Sequence, residues 1–224
     1  MKLFILDTAT SVFSMALADG TRILAEESGV AGPSSAARLA PAIAGLFTAA
    51  GMTPADMDCF AVSVGPGAFT GLRVGIALVK GLAYATGKPV IPLSSLALLA
   101  MNARGSDIPV CPLFDARKGE VYGALYDFAS GAEPVIAEEA ADPTTFLRRL
   151  EGRALFLGDG AVRYGALIRE TMGERAVFAG PELQNPRAAA GIQLAMDLFA
   201  ASAVPPAQVL PHYLRLSEAE LSRR

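Results

Sequence analysis

The chain has 224 residues, 52% of them hydrophobic, and a formal net charge of −3. That is enough for one large domain or two of about 100 residues, and it argues against a protein that holds nucleic acid alone, which needs a basic face. Pro, Gly or Ser interrupts every apolar run short of the ~18 residues of a membrane span, so the apolar excess points to a protein interface instead.

The opening Met1-Lys2-Leu3-Phe4-Ile5-Leu6 turns polar at Asp7, too early for a secretory signal, which makes the cytoplasm the expected compartment. Residues 2–8 read as a strand and 12–19 as a second, and Asp19-Gly20 is a hairpin turn into a third strand over 21–28. After Gly32-Pro33, Ser34 can cap a helix on which Leu39, Ile43, Leu46, Phe47 and Ala50 recur at helical spacing, closed by Gly51. Pro41 lies inside that pattern and must kink the helix or mark its true start. A strand over 58–64, a helix over 68–86, a short strand over 89–92 and a helix capped by Ser94 or Ser95 and ending near Asn102 complete the first half.

Gly105-Ser106-Asp107 reads as a linker, and then the order restarts. Strands are predicted over 110–114, 120–128 and 134–139, followed by a helix (142–150), a strand (153–157), a helix (161–172), a short strand (175–178) and a helix (186–202). Both halves spell β-β-β-α-β-α-β-α. Asp7 and Asp115 end the first strand of each half, and Gly65-Pro66-Gly67 is matched by Gly158-Asp159-Gly160 at the same strand-to-helix junction. The division expected is a first lobe over 1–104, with the glycine motif and interface helices, and a smaller second lobe over 105–224 whose C-terminal tail packs back on the first. Cys59 and Cys111 sit in apolar strands without C-x-x-C spacing and read as reduced, buried thiols; His212 reads as a surface or capping residue.

The chain is organised around residues 63–75, SVGPGAFTGLRVG. Glycines at a strand-to-helix junction allow φ > 0 and a close ligand approach, and the first helical turn offers unpaired N–H groups, an arrangement suited to an anion. Gly71 and Gly75, four apart, can equally let another helix pack close. No Gly-Lys-Ser/Thr follows, so this is not a Walker loop. Candidate nucleotide or phosphate contacts are Asp7, Thr8, Gly65, Gly67, Thr70, Gly71 and Arg73. Asp7 could hold a nucleotide's Mg²⁺ through water or cap the 8–11 turn, and Arg73 could grip phosphate or form an interface contact. Asp115, Arg117 and Glu120 alternate in charge and suggest an internal ion-pair network.

On the 68–86 helix Leu72, Ile76, Val79 and Ala83 form a core stripe, while Gly67, Gly71 and Gly75 form a smooth one that Ala77, Gly81 and Ala85 continue. A helix on its own lobe needs one apolar stripe, so the second is expected to meet another protein, beside the 39–47 helix. The interface candidates are Leu39, Ile43, Phe47, Gly71, Gly75, Leu78, Gly81 and Leu82. Gly75→Leu or Gly81→Leu is expected to weaken association and leave the monomer folded.

The duplicated order resembles the actin, sugar-kinase and Hsp70-like (ASKHA) nucleotide-binding fold, in which glycine turns grip phosphates and strand-end Asp residues handle metal. Asp7-Thr8-Ala9-Thr10, the glycine motif 65–75 and Asp115-Ala116-Arg117-Lys118-Gly119-Glu120-Val121-Tyr122 closely resemble the TsaB (YeaZ) family of tRNA threonylcarbamoyladenosine biosynthesis, over nearly the whole length. The glycine motif is shared with TsaD, the catalytic paralogue, which carries a His-x-x-x-His metal pair; this chain has one histidine and cannot build one. The resemblance implies a non-catalytic subunit: a homodimer when alone, a partner of TsaD through helices of the first lobe, joined by the ATPase TsaE, and reaching tRNA only through the complex. It implies no tightly bound cofactor, with ATP or ADP and Mg at low affinity or within the complex. Many relatives open the early helix with a His-Ser-Glu-Arg-like run where this chain has Ser35-Ala36-Ala37-Arg38. Rival readings are a free-standing ATPase or kinase, against which the shortened second lobe speaks, and a glycopeptidase, for which no Ser or Cys stands with a His base.

Overall fold

A computed structural model describes residues 1–30, 35–131 and 133–215. In the first half, β1 (Lys2–Asp7), β2 (Val12–Asp19), β3 (Arg22–Val30), β4 (Cys59–Gly65) and β5 (Val90–Ser94) form a sheet of order β3-β2-β1-β4-β5. The second contains β6 (Val110–Arg117), β7 (Glu120–Tyr126), β8 (Pro134–Ala141), β9 (Ala154–Leu157) and β10 (Ala176–Phe178), in order β10-β9-β6-β7-β8. Read from the same end these are one sheet built twice. In each, the first three strands pair antiparallel and the last two add in parallel. β1 and β4 are buried almost end to end because helices cover both faces, which is why they read as unbroken apolar runs. The β6–β7 hairpin turns through Lys118 (φ 53°) and Gly119 (φ 83°), the double left-handed turn that matches strand twist.

The helices are α1 (Ser35–Ala49), α2 (Phe69–Thr86), α3 (Ser95–Ala100), α4 (Pro143–Leu147), α5 (Asp159–Arg163), α6 (Gly165–Met172) and α7 (Ile192–Ser202). α1 runs through Pro41 rather than starting at it, and the Ser34 cap lies outside the described residues. Ser94, not Ser95, caps α3, its hydroxyl accepting from Ala97 N (3.1 Å), while the Ser95 hydroxyl is buried without a hydrogen-bond partner. The helix expected over 161–172 is divided at Tyr164 into α5 and α6, and the one expected over 186–202 starts as a 3-10 turn, Ala188–Gly191. No helix among the described residues is long and apolar enough to cross a membrane.

α1 and α2 cover the outer face of the first sheet through Leu39, Leu46, Phe47, Leu72 and Val79, packed on Phe4, Leu6 and Phe60. The inner face, Leu3, Ile5, Ala61, Ile91 and Leu93, is covered by Ala188, Ile192, Leu194 and Ala195, which come from the second half of the chain. Reciprocally, Leu96, Leu99 and Ala100 of α3 pack on Val110, Phe114, Ala124 and Leu157 of the second sheet. The packing therefore does not divide at 104/105 as the sequence suggests, because each half lends its last helix to the other's sheet. α3 and α7 form one central layer between the sheets, where Gly191 gives way to Leu98.

Candidate functional site

The glycine motif is where β4 hands over to α2, around a cis Gly65-Pro66 peptide. A Cβ on Gly67 would overlap Ala9, on Gly71 the Thr8 carbonyl, on Gly75 the Thr8 hydroxyl, and on Gly65 the His212 carbonyl. Thr8 Oγ1 donates to Gly71 O (2.9 Å) and Ala68 N donates to Ala9 O (2.7 Å). These glycines thus clamp α2 onto the β1–β2 turn and onto the C-terminal segment. The second glycine turn is filled in the same way: Leu113 O stands over Gly158, and Gly158 N donates to Gln184 Oε1 (2.8 Å).

Asp7 ends β1 fully buried, accepting from the Ser63 hydroxyl and from Ala9 N (3.4 Å). Burial pushes its pKa up to about 7, against the opposing pull of those two hydrogen bonds. Its bond from Ala9 N is the expected cap of the 8–11 turn. The Arg73 guanidinium lies 4.5 Å from the Phe69 centroid and Nε donates to Tyr213 Oη (3.0 Å). Thr70 is exposed on the first turn of α2. Chain atoms stand where a Cβ on Gly65, Gly67, Gly71, Gly158 or Gly160 would be, and the strand-end carboxyl of Asp7 is buried. Among the described residues no group of three or more His, Cys, Asp or Glu could hold a metal.

Between the lobes a cleft of about 260 Å³ remains, small for a nucleotide pocket, with Thr10, Ser11, Gly67 and Phe69 on one wall and Asp115, Arg117, Tyr122 and Asp159 on the other. The Asp115 side chain is 7% exposed and paired with Arg117 (3.3 Å) and Arg163 (3.5 Å). Asp159 accepts from Asp115 N (3.0 Å), and burial raises its pKa despite that bond. Burial likewise raises Tyr122. The ion-pair network expected at Asp115, Arg117 and Glu120 exists in divided form, because Glu120 pairs with Arg215 (3.0 Å). Arg163, Tyr213 and Arg215 carried no recognisable signal, their partners lying far away in sequence. The two thiols are buried, and desolvation pushes Cys59 up to about 12 and Cys111 higher still.

The interface candidates separate into two sets. Leu39 and Phe47 face the core, Phe47 5.4 Å from the Phe4 ring, and Gly71 and Gly75 face Thr8, so none of these four forms an outer surface. Leu78, Gly81 and Leu82, with Ala40 and Ala77, line an open apolar groove of about 290 Å³ between α1 and α2, and Ile43, only 4% exposed and part of the same core as Leu39 and Phe47, also borders it. Nothing stands within 4 Å of a Cβ at Gly81. Farther along α2, Tyr84 is 60% exposed.

Residues 14–219 match the family model described as TsaD: tRNA N6-adenosine threonylcarbamoyltransferase. The chain is 32% identical to the tRNA threonylcarbamoyladenosine biosynthesis protein TsaB of Bacillus subtilis, over 98% of this chain and 96% of that protein. It superposes on the structure of YeaZ from Pseudomonas aeruginosa with a TM-score of 0.79 at 33% identity, covering 95% of this chain and 99% of that one. A ROK hexokinase from Thermus thermophilus shares the fold alone, at a TM-score of 0.51 and 14% identity over 88% of this chain and 99% of that one. The architecture is the expected ASKHA duplication.

Proposed function

The chain belongs to the TsaB (YeaZ) family, and on that premise we propose that it serves tRNA threonylcarbamoyladenosine biosynthesis as the non-catalytic interaction subunit of a threonylcarbamoyltransferase complex, supporting the catalytic paralogue TsaD. The observation that carries this reading is the α1–α2 groove. A surface helix normally turns polar residues to water, yet this groove is lined by Ala40, Ile43, Ala77, Leu78, Gly81 and Leu82 without one charged side chain. Small residues there let another helix approach closely, as a helix-in-groove or bundle contact does. The partner is TsaD, or a second copy of this chain when TsaD is absent, with TsaE joining the assembly and tRNA engaged only through it.

One feature supports the absence of chemistry in this subunit: its single histidine leaves no second one for a His-x-x-x-His metal pair. The reading is tested by co-purification with tagged TsaD from the same cell, comparing the native chain with Gly81→Leu. A Cβ at 81 meets no atom within 4 Å, so the side chain grows from an open position in the groove. Such overpacking costs about 1–3 kcal/mol at a contact, so association is expected to fall roughly tenfold to a hundredfold. Unchanged binding by a folded Gly81→Leu would place the interface elsewhere. Turnover of ATP by the pure chain at about 1 per second or more would contradict the non-catalytic assignment.

A further inference from the structure

After α7 the chain returns along the first lobe and then leaves it. Val204 and Val90 exchange two hydrogen bonds of 2.9 Å on the open edge of β5. Val209 is buried in the core under α2, and Lys80 Nζ on that helix donates to Val209 O (3.1 Å). His212 N donates to Val64 O (2.8 Å). Tyr213 lies flat on Phe69, with centroids 4.0 Å and planes 6° apart, and its hydroxyl is held by Arg73. Arg215 then crosses to the other lobe, where Nη1 donates to Ala116 O (3.2 Å) and Glu120 Oε2 (3.0 Å) on the β6–β7 hairpin.

We propose that residues 204–215 are a latch, anchored on the first lobe as far as Tyr213 and holding the interlobe cleft closed through Arg215. The two ends of the cleft are held by interactions of different strength. At its base α3 and α7 lie buried between the sheets, and separating them would expose Leu96, Leu99, Ile192 and Leu194 together, so that end acts as a hinge. At its mouth Arg215, 26% exposed, holds the hairpin through the Ala116 carbonyl and through a carboxylate 39% exposed. An ion pair so exposed is weak and is screened by salt. A firm hinge opposite a weak clasp permits opening without unfolding. Opening would bare Ala9–Ser11 and Phe69 on one wall and Phe114, Asp115 and Tyr122 on the other, all of which line the closed cleft beside Arg215.

Hydrogen exchange read by mass spectrometry on the full chain tests the latch with Arg215→Ala, which removes both bonds, and Glu120→Ala, which removes the ion pair and leaves the bond to Ala116 O. Each is expected to speed exchange of residues 9–11 and 113–122 together by roughly threefold to tenfold, while 204–213 stay protected. Arg215→Ala should have the larger effect, and the double variant should not exceed it by much. Higher salt should raise exchange at the same segments in the native chain and have little effect in the variants. No change in either variant, or faster exchange confined to the segment around residue 215, would overturn the latch. So would loss of protection over 204–213 or over the whole chain, since the contact would then support the fold rather than govern an opening.

Discussion

Thr8 Oγ1 occupies the space that a side chain at residue 75 would need, which turns a glycine that reads as an outer surface into an internal contact. Gly75→Ala should destabilise the monomer by about 1–3 kcal/mol in urea denaturation. Thr8→Ala removes the obstructing hydroxyl, so the double variant should lose clearly less than the two single losses combined; strict additivity would show that the contact is not the cause. The same turn carries a pH dependence. Asp7 ionises near 7 in the folded chain and near 4 when unfolded, so between those values the folded state binds the extra proton. Stability should therefore fall as pH rises from about 4 to 7 and level off above, by no more than about 4 kcal/mol from this group. Asp7→Asn should flatten that slope in chemical unfolding followed across pH; an unchanged slope would assign it to other groups. At the level of single residues the Asp7 cap of the 8–11 turn was legible, and the glycines' neighbours were not. A glycine motif states that something comes close and not what, and here the neighbours are Thr8, Ala9 and His212, remote in sequence.

At the scale of the element the sequence was far more informative. Asp19-Gly20 turned the first hairpin, Gly51 (φ 65°) and Gly87 (φ 69°) stand just past α1 and α2, and Asp142 caps α4 through Thr145 N (3.0 Å), all signals that act within a few residues. The errors lie where local pattern loses to packing. Residues 159–172 keep helical spacing throughout, yet Tyr164 (ψ 16°) ends α5, and Gly165 starts α6 where an added Cβ would come 3.3 Å from Arg169 Nη1. Pro41 is the opposite case, an interior proline that the helix tolerates because Leu39, Ile43, Leu46 and Phe47 are buried on either side of it. Proline there withholds a donor from the residue 37 carbonyl, so Pro41→Ala should stabilise the fold by about 1–3 kcal/mol. In a chain of this size that is several degrees in thermal midpoint. A lowered midpoint would mean that the ring contributes packing that alanine cannot replace.

For the whole molecule, the duplicated order in the sequence predicted the two matching sheets, but element order alone does not say which sheet each third helix covers. The exchange makes the halves interdependent. Residues 1–104 expressed alone would expose Leu3, Ile5, Ala61, Ile91 and Leu93 on one sheet face and Leu96 and Leu99 on α3. Each such side chain is worth about 1.5–3 kcal/mol when buried, so the fragment is expected to be unfolded or aggregated, whereas co-expression with residues 105–224 should recover a compact 1:1 complex by sedimentation. A soluble 1–104 fragment with dispersed amide resonances would refute the interdependence.

That exchange also has a consequence during synthesis. The inner face of the first sheet is complete once Leu93 has left the ribosome, yet Ile192 emerges about a hundred residues later. At ordinary elongation rates the nascent chain carries an uncovered apolar sheet face for roughly 5–20 s. Binding of a holdase chaperone to arrested nascent chains should therefore rise when Leu93 emerges and fall only after α7 does.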